Sequence, residues 1–256
     1  MPVVYQIRML DRSIAIQLAV AGRVLAQAGL AANLGNHVSV VHEGRVYVNS
    51  FGRSLAALRP SDIVVVDRDG KVIEGTGRVN DTIRLHTVLH ELVSTASAIV
   101  HTHAPNILTV GAFGVIPGVY DQEATLLADD VAIHDEDYQG PTDRAERIAP
   151  LAQTLRSANA VLLPNHGALT AGKDLFMATL RMLRLEAMAK RHLELQIAAT
   201  ALGRAPRQIE HDVAVRTRDD LQALADRHGV GELYWRDWIE QVKRVDPGFV
   251  TDGFLD

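Results

Sequence analysis

Two histidines separated by one residue follow an apolar run, and this pattern constrains the fold more than any other feature of the chain. Residues 98–100 predict a buried strand that continues into His101 and His103. Side chains at positions i and i+2 of a strand point to the same face, so we expect the two imidazoles side by side. A second apolar run, residues 160–163, is followed by His166. Three histidines at strand ends suit a divalent transition metal with an open coordination position for substrate.

The composition excludes several kinds of site and of protein. The chain has no cysteine, so any metal must be held by histidine, carboxylate or water ligands. A net charge of -5 without a long basic run offers no broad surface for nucleic acid. No segment approaches the roughly 20 apolar residues of a membrane span. Residues 1–12 carry charges and lack the apolar core of a signal peptide. We therefore expect a cytoplasmic protein that binds neither nucleic acid nor membranes.

Helical and strand-like patterns along the chain predict one α/β domain. Helices are predicted over residues 13–32, 80–92, 106–111, 141–157, 174–202 and 218–228, and strands over residues 38–41, 45–48, 62–66, 98–103, 131–133 and 160–163. Thr142 is the expected N-cap of the fourth helix, which Pro150 should interrupt. Turns at Glu43-Gly44 and at residues 67–70 indicate hairpins. We expect a single domain over residues 1–256, with a largely antiparallel sheet and a helical, aromatic C-terminal tail over residues 204–256.

The order and spacing of several short motifs resemble the class II aldolase and adducin-head family almost from end to end. The motifs are residues 35–39, 61–67, 70–75, 84–86, 101–105 and 165–167. The resemblance implies an α/β/α sandwich around a central, largely antiparallel sheet. It also implies a homotetramer with active sites near subunit interfaces, and a small-molecule substrate. Each subunit would hold one divalent metal, most often zinc and in some members manganese, iron or cobalt, bound by His101, His103 and His166.

The chain departs from the sugar-phosphate aldolases of this family in ways that bear on the substrate. Those enzymes carry a Ser-Ser-Glu segment upstream of the histidine pair, and its glutamate serves as general base. Asn80, Asp81 and Thr82 stand at these positions here. A threonine hydroxyl is no base near neutral pH. An ionised Asp81 would repel a phosphate dianion by about 4 kcal/mol at close range and an effective dielectric of about 20. The Thr-Pro-Ser-Gly turn is also altered, at residues 49–52. We therefore expect a substrate without phosphate.

Several polar residues outside the histidine trio are candidates for the site. The candidate substrate-binding residues are Gly35, Asn36, His37, Ser50 and Asn80. Asp81 and Glu123 are candidate catalytic, proton-transferring groups, with His37 and His134 as weaker ones. Each carboxylate has a structural alternative, because Asp81 can cap the following helix and Glu123 can form a salt bridge. His86 and His90, one helical turn apart, are interpreted as packing against the sheet or bonding backbone carbonyls.

The expected activity is that of a metal-dependent carbon–carbon lyase. The family resemblance implies aldol cleavage and decarboxylation, which share an enolate that the metal stabilises. Decarboxylation needs no base to remove a hydroxyl proton, so Thr82 at the glutamate position favours it. The expected substrate is a small non-phosphorylated hydroxy- or oxo-carboxylate, aromatic acids included. The alternative is a non-catalytic adducin-like binding or scaffold module with a structural metal, because residues 121–124 and 133–138 resemble that branch.

Overall fold

An eight-stranded sheet forms the centre of the molecule, which a computed structural model describes for residues 11–134, 140 and 145–249. Its strands are β1 His37–His42, β2 Arg45–Asn49, β3 Ile63–Val66, β4 Val72–Glu74, β5 Ala98–Thr102, β6 Val131–Ile133, β7 Ala160–Leu163 and β8 Gly167–Gly172. Their order in the sheet is β4-β3-β2-β1-β5-β8-β7-β6. Only the β6–β7 pair is parallel. The largely antiparallel sheet is therefore confirmed.

Helices cover both faces of this sheet. They are α1 Arg12–Gln27, α2 Arg84–Leu92, α3 Pro105–Ala112, α4 Ala145–Ser157, α5 Leu175–Leu202, α6 His211–His228 and α7 Val230–Val245. Val38 and Val100 of the strands pack with α1 and α5 in one buried cluster. Ile99 and Val161 pack with α2 and α4 in a second cluster on the opposite face. Alternate residues of one strand thus serve the two cores, and the α/β/α sandwich is confirmed.

Capping residues set the ends of the two helices that cover most of the first face. Asp11 and Asp174 accept backbone N–H bonds at the starts of α1 and α5. α1 ends at Gln27, five residues before the predicted end. Its chain reverses at Gly29, whose φ is 82°, and the Leu30 N–H bonds back to the Leu25 carbonyl. Glycine closes this turn because it adopts a positive φ at little cost.

The C-terminal part of the chain differs most from the sequence-based prediction. α6 begins at His211 rather than 218, and α7 was predicted only as an aromatic tail. Trp238 of α7 is buried, with its ring centroid 5.5 Å from that of Phe176 in α5. Strand β8 was not predicted because its sequence, GALTAG, lacks polar–apolar alternation, and all of it is buried. Thr142 and residues 135–138 lie outside the described residues. Within the described part of the chain, every helix is too short or too polar to cross a bilayer.

Candidate metal centre

Three histidines meet at one edge of the sheet. His101 is the last residue but one of β5, His103 directly follows that strand, and His166 lies in the turn that joins β7 to β8. One ring nitrogen from each lies within 4.8 Å of those from the other two. The three ring-centroid separations are 4.8, 4.9 and 5.2 Å. The structure therefore brings together the three residues that the sequence selected, although 63 positions separate His103 from His166.

Pairing between β5 and β8 explains this proximity. Thr102 is opposite Ala168 in the antiparallel register, so the turn before β8 lies beside the end of β5. Gly167 makes the closest approach. A Cβ at this position would lie 2.3 Å from the Thr102 carbonyl oxygen, and its φ is 150°. Glycine alone fits both the contact and the backbone conformation. The Asn165-His166-Gly167 motif is thus needed for the close contact between two strands, as well as for the histidine.

Hydrogen bonds orient two of the three imidazoles. Nδ1 of His101 lies 2.9 Å from the Ala168 carbonyl oxygen. A carbonyl can only accept, so the proton is on Nδ1, and the Nε2 lone pair is available to a metal. The backbone N–H of His103 donates to Oδ1 of Asn36 at 3.0 Å, and its Nδ1 lies 3.3 Å from Oδ1 of Asn33. Such second contacts hold a ligand ring in place before metal binds.

The turn at Gly35 and Asn36 therefore supports the histidines, whether or not it also touches substrate. A Cβ on Gly35 would lie 2.9 Å from Cε1 of His103. The Asn36 side-chain amide donates to the Asn33 carbonyl oxygen at 2.7 Å, and Asn49 donates to the Asn36 carbonyl oxygen. Asn33 was not selected from the sequence, because an asparagine in a loop carries no signal of its own. Its role follows from contacts that only the folded chain makes.

A buried carboxylate holds the helix that follows the histidine pair. α3 begins at Pro105, and Ala104 before it has no side chain that can cap. Glu186 of α5 takes this role from 80 residues away. Its carboxylate accepts the Asn106 backbone and side-chain N–H bonds at 3.1 and 2.7 Å and the Ile107 N–H at 2.9 Å. A negative charge is stabilised at a helix N-terminus. Sequence reasoning missed Glu186, since one acid in a helix rich in Glu and Arg is not distinctive.

Replacing Glu186 by glutamine is expected to lower the free energy of unfolding by about 2 kcal/mol. The substitution removes the charge and turns one acceptor into a donor that faces the N–H groups of α3. Urea denaturation of the two proteins measures the difference. The matched control is Glu194→Gln on the exposed side of the same helix, which should change stability by less than about 0.5 kcal/mol. Equal stabilities of the Glu186 and Glu194 variants would contradict this role.

The other candidate residues on this edge belong to the loops after β2 and β4. Ser50 directly follows β2, is buried, and donates its N–H to the Asp62 carbonyl oxygen. The Thr82 hydroxyl donates to Oδ1 of Asn80 at 2.7 Å. Asn80 occupies the N-cap position of the short helix Asp81–Ile83, without a side-chain capping bond. Asp81 is exposed in the first turn. Asn80 rather than Asp81 therefore occupies the N-cap position, and Asp81 lies in the first turn of that helix. The side chain of Asn80 also holds the Thr82 hydroxyl.

The structure places Glu123 in contact with α5. It lies in the short helix Glu123–Leu127 and forms an ion pair with Arg184 of α5. Helix α5 covers the sheet face that carries Val100, whereas His101 points to the face that carries Ile99. The salt-bridge alternative for Glu123 matches this geometry, and the catalytic one has no contact to support it.

Burial keeps the histidines of this region neutral. Desolvation and, as the smaller cause, the neighbouring His103 lower the pKa of His166 to about 4. Desolvation, followed by the other imidazoles, also places the pKa of His101 well below its usual value. The same cause lowers the pKa of His37 and of His90 to about 4. Neutral imidazole is the form that binds a metal ion, so the site is ready for one at neutral pH.

Acidification is expected to destabilise the metal-free protein from about pH 6.5 downward. His37 and His90 have a pKa of 6.5 when unfolded and about 4 when folded. The unfolded chain therefore binds protons that the folded chain does not, and stability present above pH 6.5 is lost as the pH falls toward 4. Each histidine contributes up to about 1.4 kcal/mol per pH unit in this window. Urea unfolding between pH 7 and 5 tests this above the main range of the carboxylates. A flat profile would refute it.

Comparison with known proteins agrees with this arrangement. The model of the class II aldolase and adducin N-terminal domain family matches residues 16–193. A 3,4-dihydroxyphthalate decarboxylase of Arthrobacter keyseri is 30% identical over 200 residues, or 72% of this chain and 79% of that protein. An L-fuculose phosphate aldolase of Methanococcus maripaludis is 26% identical over 156 residues, or 61% of this chain and 83% of that protein.

A solved structure shows the same fold. The aldolase II superfamily protein from Pseudomonas syringae superposes with a TM-score of 0.79 at 22% identity, and the match covers 94% of this chain and 96% of that chain. The similarity therefore extends past the region matched by the family model and includes the C-terminal helices.

Proposed function

The chain belongs to the class II aldolase and adducin N-terminal domain family, and we propose that it is a metal-dependent carbon–carbon lyase. Its relatives include both aldolases and decarboxylases. The proposed substrate is a small non-phosphorylated hydroxy- or oxo-carboxylate, aromatic acids included. The cluster of His101, His103 and His166 at the sheet edge is the observation that carries the proposal.

The donor set fits one divalent cation per subunit. Three imidazole nitrogens within 4.8 Å of one another match the ligand type and number of a catalytic zinc site, and manganese, iron and cobalt also accept histidine. The hydrogen bond from His101 to the Ala168 carbonyl leaves its Nε2 free for this purpose. Once bound, the cation supplies a Lewis acid for negative charge that develops on a substrate oxygen.

The side chains near the trio support decarboxylation over aldol cleavage. Among the described residues, no carboxylate joins the three histidines in a metal-binding group. Thr82, at the position of the family's glutamate, uses its hydroxyl to bond Asn80. A group that removes a hydroxyl proton is therefore missing from the place where aldol cleavage needs it. Loss of carbon dioxide forms the carbanion without that step. Carbon then receives its proton from a water molecule, and ionised Asp81 is the proposed group that orients this water.

Apolar exposure supports the proposed homotetramer. Phe113 and Ile116, which follow α3, are 77% and 47% exposed. Large apolar side chains of this kind commonly mark contacts between proteins. α3 begins two residues after His103, so a subunit contact here would lie close to the metal centre.

Turnover and metal content together test the proposal. The purified protein is expected to hold about one divalent metal per chain by elemental analysis, and to release carbon dioxide or a carbonyl product from at least one of a panel of hydroxy- and oxo-acids. Sugar phosphates serve as the contrasting panel, because exposed Asp81 should keep them out. A protein that stays metal-free after reconstitution would refute the proposal. Bound metal that raises the melting temperature without any turnover would favour the adducin-like scaffold instead.

A further inference from the structure

A chain of buried polar side chains leads away from the metal centre on the α2 side of the sheet. His37 and Ser39 of β1 lie two residues apart and therefore point to the same face. His86 and His90 of α2 lie one turn apart and face them. Nδ1 of His86 lies 2.6 Å from Oγ of Ser39, and Nε2 of His90 lies 2.8 Å from the same oxygen. The proposed reaction uses none of these contacts.

The hydrogen bond at the His90 end of this series of side chains determines which nitrogen of each imidazole carries the proton. Nδ1 of His90 is 2.7 Å from the Ala96 carbonyl oxygen. Since a carbonyl only accepts, His90 carries its proton on Nδ1, and its Nε2 accepts the Ser39 hydroxyl proton. Ser39 has one proton, so its oxygen must accept from Nδ1 of His86. Neutral His86 then has a bare lone pair on Nε2. The Ala96 carbonyl thus determines the tautomers of both His90 and His86.

At the end of the series nearest the metal centre, His86 and His37 each have one buried nitrogen without a hydrogen-bond partner. Nε2 of His86 and Nδ1 of His37 are both buried without a hydrogen-bond partner. Their rings are neighbours, with centroids 5.5 Å apart in an edge-to-face arrangement. Buried polar atoms are stabilised when a donor meets an acceptor. Because the His86 atom is an acceptor, a direct bond between these two neighbouring nitrogens needs His37 as the donor, with the proton on Nδ1.

The remaining nitrogen of His37 belongs to a ring that neighbours His101. Nε2 of His37 is not enclosed in the same way as Nδ1. The ring lies 6.3 Å from that of His101, its neighbour across the β1–β5 pair. With the proton on Nδ1, Nε2 offers a lone pair and no N–H. The ring is thus held as a hydrogen-bond acceptor next to a predicted metal ligand.

We propose that the His90–Ser39–His86 chain holds His37 as a hydrogen-bond acceptor, which selects substrates whose metal-chelating oxygen is a hydroxyl. His37 is the specificity-determining residue, and Ser39, His86 and His90 are positioning residues that act through it. The inference rests on the proposed function, since it assumes that a substrate oxygen lies next to His101. An acid whose chelating oxygen is an ether or a second carboxylate has no proton to donate, and would leave this lone pair unpaired.

Neutron diffraction from crystals of the zinc-loaded protein tests the proton positions directly. Deuterium is expected on Nδ1 of His37, His86 and His90 and absent from their Nε2 atoms. In Ser39→Ala, the His86 proton has lost its acceptor, so His86 and His37 are expected to lose the single tautomer seen in the wild type. Deuterium on Nε2 of His37 in the wild-type protein overturns the inference, and this measurement requires no variant to fold.

Ligand discrimination tests the consequence for substrate. Cobalt-substituted protein gives a visible absorption change when a ligand chelates the metal, so binding is measured without turnover. The probes are mandelate, an aromatic 2-hydroxy-acid, and its O-methyl ether, which can chelate but cannot donate. The preference for mandelate should fall by about threefold to tenfold in His37→Phe and in Ser39→Ala, the amount expected for one hydrogen bond.

The matched control is His42→Phe, which changes a histidine on the same strand that is paired with Asp11, away from this chain. Its preference for mandelate should equal that of the wild type. An unchanged preference in His37→Phe overturns the inference. Failure of the proposed function gives a different result, namely no cobalt binding at all. The tautomer of His37 is still read from the wild-type crystal in that case and decides the inference.

Discussion

Replacing His103 by alanine is expected to remove the bound metal and to lower turnover by about 10³-fold or more. The residue supplies one of three nitrogens within 4.8 Å of one another. Two imidazoles hold a divalent ion far more weakly than three. Loss of the Lewis acid removes several kcal/mol of transition-state stabilisation, and each 1.36 kcal/mol is about tenfold in rate. Elemental analysis measures the metal, and product formation at saturating substrate measures the rate.

The choice of His103 keeps this experiment interpretable. Its ring is only partly buried, whereas His101 is 2% exposed, so the truncation at His103 leaves the smaller defect in the fold. The control is His42→Ala, a partly exposed histidine at the far end of β1 that should keep both metal and activity. Circular dichroism should show equal helix content in both variants. A His103 variant that retains one metal per chain and full turnover would exclude the three-histidine site.

Replacing Gly167 by alanine is expected to lower the free energy of unfolding by about 3 kcal/mol and to weaken metal binding. The added Cβ would lie 2.3 Å from the Thr102 carbonyl oxygen. Because that oxygen belongs to the backbone of β5, no side chain can move aside, and the β7–β8 turn must shift. Overpacking and a strained backbone each cost about 1–3 kcal/mol. The shift displaces His166, the preceding residue, so affinity for zinc should fall together with stability.

Gly114→Ala separates the clash from the backbone strain. Gly114 also has a positive φ, 62°, but a Cβ there meets nothing within 4 Å. This control should cost about 1 kcal/mol, the usual penalty for a non-glycine residue in the left-handed region, and should leave zinc affinity unchanged. Urea denaturation and competition with a chelator give the two quantities. Similar losses in the two variants would show that the contact with Thr102 is unimportant.

Local patterns in the sequence predicted most of the secondary structure. The helical periodicity in residues 13–32, the apolar run that leads into His101, and the glycine turns at Gly44 and Gly70 each report a preference of a few neighbouring residues. They identified a largely antiparallel sheet with helices on it. They failed for β8, whose small residues carry no alternation. They also failed for α7, Val230–Val245, which was predicted only as an aromatic tail after the helix that ends at His228.

The candidate site likewise combines a feature that the local sequence predicts with contacts that it does not predict. The His-x-His spacing is a local property, since residues i and i+2 of a strand share a face wherever that strand lies. The residues that support the histidines are not local. Glu186 lies 80 positions from Asn106, and Asn33 lies 70 positions from His103. Nothing in their neighbours along the chain distinguishes them, because their role is created by the contact itself.

The sequence by itself determined most of the elements, the family to which they belong, and the three histidines with a threonine where a glutamate is expected. The tertiary structure decided which groups surround those histidines and in what state. It places Glu123 in an ion pair with Arg184, Glu186 at the start of α3, and the Ala96 carbonyl at the end of the His86–Ser39–His90 series. The reason is that periodicity and capping depend on adjacent residues, whereas burial, hydrogen-bond partners and tautomers depend on which distant strands and helices pack together.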